Sequence, residues 1–200
     1  ETTNNVTIIT NSYTPELTTA TVKKSWDDKD NQDGKRPETL TVTLSDGTEV
    51  ELNEGNSWTA TVENLPKYAD GEEIVYTWTE EKLPDGYTLT KTDVNGTVTT
   101  LTNSYTPELT SATVKKNWDD KDNQDGKRPA SLTVKLSNGT EVELNEGNGW
   151  TATVENLPKY ADGQEIVYTW AEVKVDGYEQ TGNETVGTVT TLTNSYETEK

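Results

Sequence analysis

The sequence predicts an all-β chain built as two tandem antiparallel β-sandwiches of about seven strands each. Three observations lead there. Val, Leu, Trp and Tyr alternate with Thr, Lys and Glu in short runs such as Thr39-Leu40-Thr41-Val42-Thr43-Leu44, a period of two that lines one face of a strand with apolar side chains. Asp, Asn and Gly cluster between the runs, where they supply turns, and no stretch carries a helical period. Residues 16–80 align without a gap on 108–172 with nine differences in 65 positions, so one unit is written twice.

In the first copy, strands are expected at 18–26, 39–45, 48–52, 57–63, 73–80, 87–92 and 97–105. Asp27 to Pro37 is a polar loop, Asp46-Gly47 a two-residue hairpin signal, and Leu65 to Gly71, with Pro66, a connecting segment. The copies differ in length where Leu83-Pro84-Asp85 becomes Val175-Asp176, and rejoin at Gly86-Tyr87 and Gly177-Tyr178. Domains follow at 14–105 and 106–196, each of a size normal for one small sandwich, with a short tail at 197–200. Residues 1–13 stand outside this scheme. Val6-Thr7-Ile8-Ile9-Thr10-Asn11-Ser12-Tyr13 matches Val98 to Tyr105 and Val189 to Tyr196, so it reads as the last strand of a preceding repeat and the chain as an excerpt of a longer array. The differing pairs Ser25/Asn117, Thr39/Ser131, Thr43/Lys135 and Thr79/Ala171 alternate with unchanged apolar neighbours, which marks them as the wet face.

Composition narrows the function. A net charge of -19 without a basic cluster disfavours nucleic acid and anionic membrane surfaces. With no Cys and no His, disulfides, thiol chemistry and His-containing triads are excluded. No apolar run approaches membrane-spanning length, and neither a cofactor nor a metal is expected. Asp28-Lys29-Asp30-Asn31-Gln32-Asp33-Gly34 resembles a calcium loop, but its Gly falls one place late and no Glu follows at the twelfth position, so calcium binding at 27–34 and 119–126 stays open.

Three polar residues per copy lie in phase with an apolar strand face. Lys24 falls between Val22 and Trp26, Glu80 follows Trp78 at the same spacing, and Asn103 lies between Leu101 and Tyr105. The second copy supplies Lys116, Glu172 and Asn194. An ammonium on an apolar face costs several kcal/mol, as an order of magnitude, unless it is neutralised, paired or chemically consumed.

The runs VKKSWDDKDNQDGKRP and WTATVENLPKYADGEEIVYTWTEE, the later GY and the closing LTNSY together resemble the B-type repeat of the Gram-positive collagen adhesin family, the Cna B-type domain. The likeness covers essentially all of both repeats. It implies an inverse immunoglobulin-like sandwich that forms a spontaneous intramolecular isopeptide bond. Carried over, the amines are Lys24 and Lys116, the amides Asn103 and Asn194, and the assisting acids Glu80 and Glu172. Burial disfavours both charged forms, lowering a lysine pKa and raising a glutamate pKa by up to about 3 to 5 pH units, which leaves an amine able to attack and an acid able to donate. The reaction runs once per domain and is not enzymatic turnover.

The expected role is a structural stalk in a cell-wall-attached surface adhesin of a Gram-positive bacterium. Its partners are the adjacent repeats of the same longer chain, the chain is a monomer, and any host ligand binds a separate region. A pilus shaft subunit, or a module that itself binds a host protein or glycan, are the alternatives.

Overall fold

The computed structural model describes residues 2–3 and 6–196, with side chains from residue 8 onward. The tail expected at 197–200 lies outside the described residues. The chain forms two compact units that divide at Thr106/Pro107.

The first unit contains β1 (Leu17–Asp27), β2 (Thr39–Leu44), β3 (Glu49–Asn53), β4 (Thr59–Pro66), β5 (Trp78–Thr79), β6 (Thr88–Asn95) and β7 (Val98–Ser104). One sheet has the order β6-β7-β1-β4 and the other β3-β2-β5, so seven strands make two layers, as expected. The second unit repeats this with β8 (Leu109–Asp119), β9 (Ser131–Leu136), β10 (Glu141–Asn145), β11 (Thr151–Pro158), β12 (Trp170–Glu172), β13 (Glu179–Val186) and β14 (Val189–Ser195), in the orders β11-β8-β14-β13 and β10-β9-β12. The inward period-two residues fill the space between layers: Ala20, Val22, Leu40, Val42, Leu44, Leu52, Leu65, Trp78 and Leu101 form one buried cluster, and their counterparts form the second. None of the four differing pairs is buried, as expected of the wet face.

The structure departs from the sequence expectations in three places. First, the ladders are antiparallel except one in each unit: β7 runs parallel to β1, pairing Leu101 with Lys24 and Asn103 with Trp26, and β14 runs parallel to β8. Local alternation carries no information on strand direction, which long-range closure decides. Second, the strand expected at 57–63 begins only at Thr59. A 3-10 turn, Glu54–Asn56, precedes it, closed by reciprocal Asn53 and Asn56 side-chain bonds, and Ser57 and Trp58 take positive φ of 53° and 55°. Third, only Trp78–Thr79 of the expected 73–80 strand joins the two main sheets. Glu72–Glu73 instead pairs with Tyr68–Ala69 as a small hairpin, while Ile74, Tyr76 and Trp78 still turn inward and Val75 and Thr77 outward. In the stretch read as the last strand of a preceding repeat, whose own lysine and glutamate the chain lacks and which was expected to be frayed or packed on a neighbouring molecule, only Val6–Thr7 forms a strand, paired with Thr2–Thr3, and Ile8, Ile9, Asn11 and Tyr13 are exposed. Its counterpart β7 is held between β1 and β6, and residues 8–13 have neither neighbour.

Candidate functional site

The pleat of β1 sends Val22, Lys24 and Trp26 to the inside and leaves Lys23 exposed on the other face. On β7 the same period turns Thr99, Leu101 and Asn103 inward. Because β1 and β7 are parallel neighbours, Lys24 and Asn103 occupy adjoining positions near the same end of the sheet. Glu80 comes from the opposite layer, one residue beyond β5. The three side chains meet in the interior: Lys24 Nζ lies 2.7 Å from Glu80 Oε1 and donates to the Leu101 carbonyl at 3.1 Å, and Asn103 Nδ2 donates to Glu80 Oε2 at 2.9 Å. One carboxylate therefore bridges the amine and the amide.

The second unit repeats the core of this arrangement. Lys116 Nζ lies 2.8 Å from Glu172 Oε2, and Asn194 and Glu172 line one cavity with Tyr178. All six residues singled out in the sequence are thus brought together, three in each unit. The burial is nearly complete: the side chains of Lys24 and Glu80 are 0% and 1% exposed, and Asn103 and Asn194 are 0% and 1% exposed. Burial pushes the Lys24 and Lys116 ammonium groups below the ordinary lysine range, against the hydrogen bond and charge of Glu80 and Glu172, which pull the other way. Each lysine also lies over an indole, Lys24 Nζ 4.9 Å from the centre of the Trp26 ring and Lys116 Nζ 4.9 Å from that of Trp118.

A second cluster, not anticipated from the sequence, closes this end of each unit. Asp28 is buried and accepts from Arg36 Nη2 at 2.6 Å, Arg36 Nε at 3.0 Å, the Asn31 amide at 3.0 Å and the Tyr87 hydroxyl at 2.8 Å. Trp26 packs edge-on against Trp58 and Tyr87 with ring centres 5.0 and 5.1 Å apart, and Tyr87 packs on Tyr105 at 5.3 Å. Gly86 must be glycine here: its φ is +81°, and a Cβ would stand 2.9 Å from the Tyr105 ring. Asp28 therefore serves as the counter-ion of Arg36, so the calcium-like run is organised around an arginine. The signals were present in the sequence as Arg36 eight residues after Asp28 and the Gly-Tyr pair that returns after the length change.

This clamp carries a pH prediction. In the second unit, the bidentate Arg128, followed by the Asn123 amide and Tyr178, holds the Asp120 carboxyl down to about 2 from its ordinary 3.8, despite burial. A depressed carboxylate stabilises the fold above its unfolded value and loses that contribution as pH falls through the folded one. The stability gap between wild type and Asp120→Asn is expected to close by about 2 kcal/mol as pH drops from 3.8 to about 2, read by thermal unfolding at a series of pH values. A gap that stays constant across that interval would contradict this assignment.

Fold and site together define a class: tandem two-layer β-sandwich repeats, each with a buried Lys-Glu-Asn triplet between its first strand, its last strand and the opposite sheet. The chain belongs to the Cna protein B-type domain family, whose model matches residues 20–104 and 112–195. It is 50% identical over 181 residues to a collagen adhesin of Staphylococcus aureus, covering 86% of this chain and 15% of that protein. Among solved structures it is similar to two B repeat units of the collagen binding protein of S. aureus, with 44% identity, coverage of 93% of this chain and 51% of that one, and a TM-score of 0.44. A single B repeat unit of the same protein gives 43% identity, coverage of 90% and 99%, and a TM-score of 0.42. The chain therefore spans a small part of the collagen adhesin it matches.

Proposed function

We propose that each repeat forms an intramolecular isopeptide bond, Lys24 to Asn103 and Lys116 to Asn194, and that the tandem serves as a force-bearing stalk in a cell-wall-attached adhesin. The observation that carries this reading is the single buried carboxylate of Glu80 in contact with both the Lys24 amine and the Asn103 amide. In the step itself, Glu80 takes one proton from the ammonium, and the freed amine adds to Asn103 Cγ as the carbonyl electron pair moves onto Oδ1. A second amine proton passes through the carboxyl to Nδ2, the C–N bond breaks, ammonia leaves, and Glu80 ends as the protonated acid. Folding supplies the proximity, and the dry interior keeps water from competing.

Topology supplies the mechanical reason. The chain enters at the start of β1 and leaves at the end of β7, and these strands are parallel neighbours. Tension along the chain therefore loads their ladder in shear, and a bond from Lys24 to Asn103 takes that load directly. The enclosed segment, about eighty residues, would otherwise release about 270 Å of contour length on unfolding. Pulling the chain by its ends is expected to give no such step for wild type and one per repeat once Asn103 and Asn194 are both changed to Ala. Steps of that length in the wild-type chain would refute the stalk mechanism.

A further inference from the structure

We propose that Asn95 is a self-modification site: the backbone nitrogen of Gly96 attacks its side chain, ammonia leaves, and water opens the product to aspartate or isoaspartate at the tip of the β6–β7 hairpin. The sequence holds three Asn-Gly pairs, Asn95-Gly96, Asn138-Gly139 and Asn148-Gly149, in each of which the attacking nitrogen belongs to a residue with no Cβ to hinder it. The structure singles out one of them. Gly139 N donates to the Leu136 carbonyl at 2.8 Å, and Asn138 Oδ1 accepts from the Thr140 amide at 3.0 Å, so nucleophile and electrophile are both engaged. Asn148 is held more firmly: Gly149 N donates to the Glu146 carbonyl at 3.0 Å, Asn148 Oδ1 accepts from the Asn145 amide at 2.9 Å, and Asn148 Nδ2 donates to the Glu143 carbonyl at 2.8 Å.

Asn95 differs on both counts. It is the exposed last residue of β6, and neither its side chain nor the Gly96 N–H has a hydrogen-bond partner among the described residues. The ladder ends at the Asn95–Val98 pair, so turning the Asn95 backbone to bring Cγ onto the Gly96 nitrogen disturbs that pair alone. Gly96 has a φ of +61° and open space where a Cβ would stand. In the step itself, the Gly96 nitrogen adds to Asn95 Cγ, its proton passes to water, the Cγ–Nδ2 bond breaks with ammonia as the leaving group, and a cyclic imide remains. Water then opens the imide at either of its two carbonyls. One water enters and one ammonia leaves, and the chain gains a carboxylate, with an extra backbone carbon in the isoaspartate form. The second repeat has Val186 before its Gly187, which confines the change to the first. The site is independent of the crosslink between Lys24 and Asn103. Its imide nonetheless has the same mass deficit as one isopeptide bond, so a peptide map is what separates the two.

The test uses the whole wild-type chain, incubated at neutral pH either folded or in denaturant and digested at intervals. Each Asn-Gly peptide is scored by mass for the exchange of NH for O, and isoaspartate is located by electron-transfer fragmentation. The denatured rate at each pair divided by its folded rate gives the protection that the fold confers. Protection at Asn138 and at Asn148 is expected to exceed that at Asn95 by about ten-fold or more, since each must first break two or more hydrogen bonds and Asn95 has none to break at its side chain or at the attacking nitrogen. Equal protection at the three pairs overturns the proposal. So does a folded chain in which Asn95 stays unconverted over a period in which the denatured chain converts.

Discussion

The intact wild-type chain is expected to weigh less than its sequence by two molecules of ammonia, Glu80→Ala by one, and the double variant Glu80→Ala/Glu172→Ala by none. The difference is all or none because the carboxylate holds both reacting groups. Without it, Lys24 has only the Leu101 carbonyl as a partner, and no group remains to carry a proton from the amine to Nδ2. An amide is a poor electrophile and its nitrogen a poor leaving group until it is protonated, so proximity alone does not complete the reaction. Peptide mapping of the wild-type digest should join the Lys24 peptide to the Asn103 peptide and the Lys116 peptide to the Asn194 peptide. A wild-type chain of full mass would reject the crosslink.

Asn103→Ala is expected to lower the melting temperature of repeat 1 by roughly 20–35 °C while repeat 2 melts as before, so that one calorimetric transition becomes two. The chain-entropy estimate for closing a loop of about eighty residues is about 4 to 5 kcal/mol, and each kcal/mol shifts a domain of this size by about 4 to 8 °C. The loss is large because the sandwich holds itself with few means: it has no Cys, and its buried apolar cluster is nine residues in each unit. A shift of only a few degrees would mean that the loop is not covalently closed in the wild type, or that closing it contributes little.

Most of the candidate site was legible because side-chain phase along a strand is a local property. Lys24 between Val22 and Trp26, and Asn103 between Leu101 and Tyr105, point inward in any sheet that buries their neighbours, and each does so here. Glu80 was legible for the same reason although its strand was not: hydrogen-bonded pairing stops at Thr79, yet the alternation from Ile74 onward persists. What escaped was geometry set by backbone conformations that alternation does not encode. Trp58 reads as a strand residue but reaches the core from a left-handed turn, and the run after Asp28, where calcium binding stayed open, does not show that Arg36 folds back onto both of its oxygens. The first departs because the Asn53/Asn56 cap takes precedence over the strand pattern, and the second because a loop ligand set is decided by which side chain folds back onto it.

The sequence by itself determined the two-fold repetition, the two-layer all-β class, and which amine, acid and amide in each repeat face the interior. The tertiary structure decided that β1 and β7 are parallel neighbours, that Glu80 reaches Lys24 and Asn103 from the opposite sheet, and that an Arg-Asp-Tyr clamp with an aromatic cluster closes that end of the sandwich. The physical division is one of range. Periodicity follows from the pleat of each strand in isolation, whereas strand order and direction follow from how two sheets close over a shared core, which depends on residues nearly eighty positions apart.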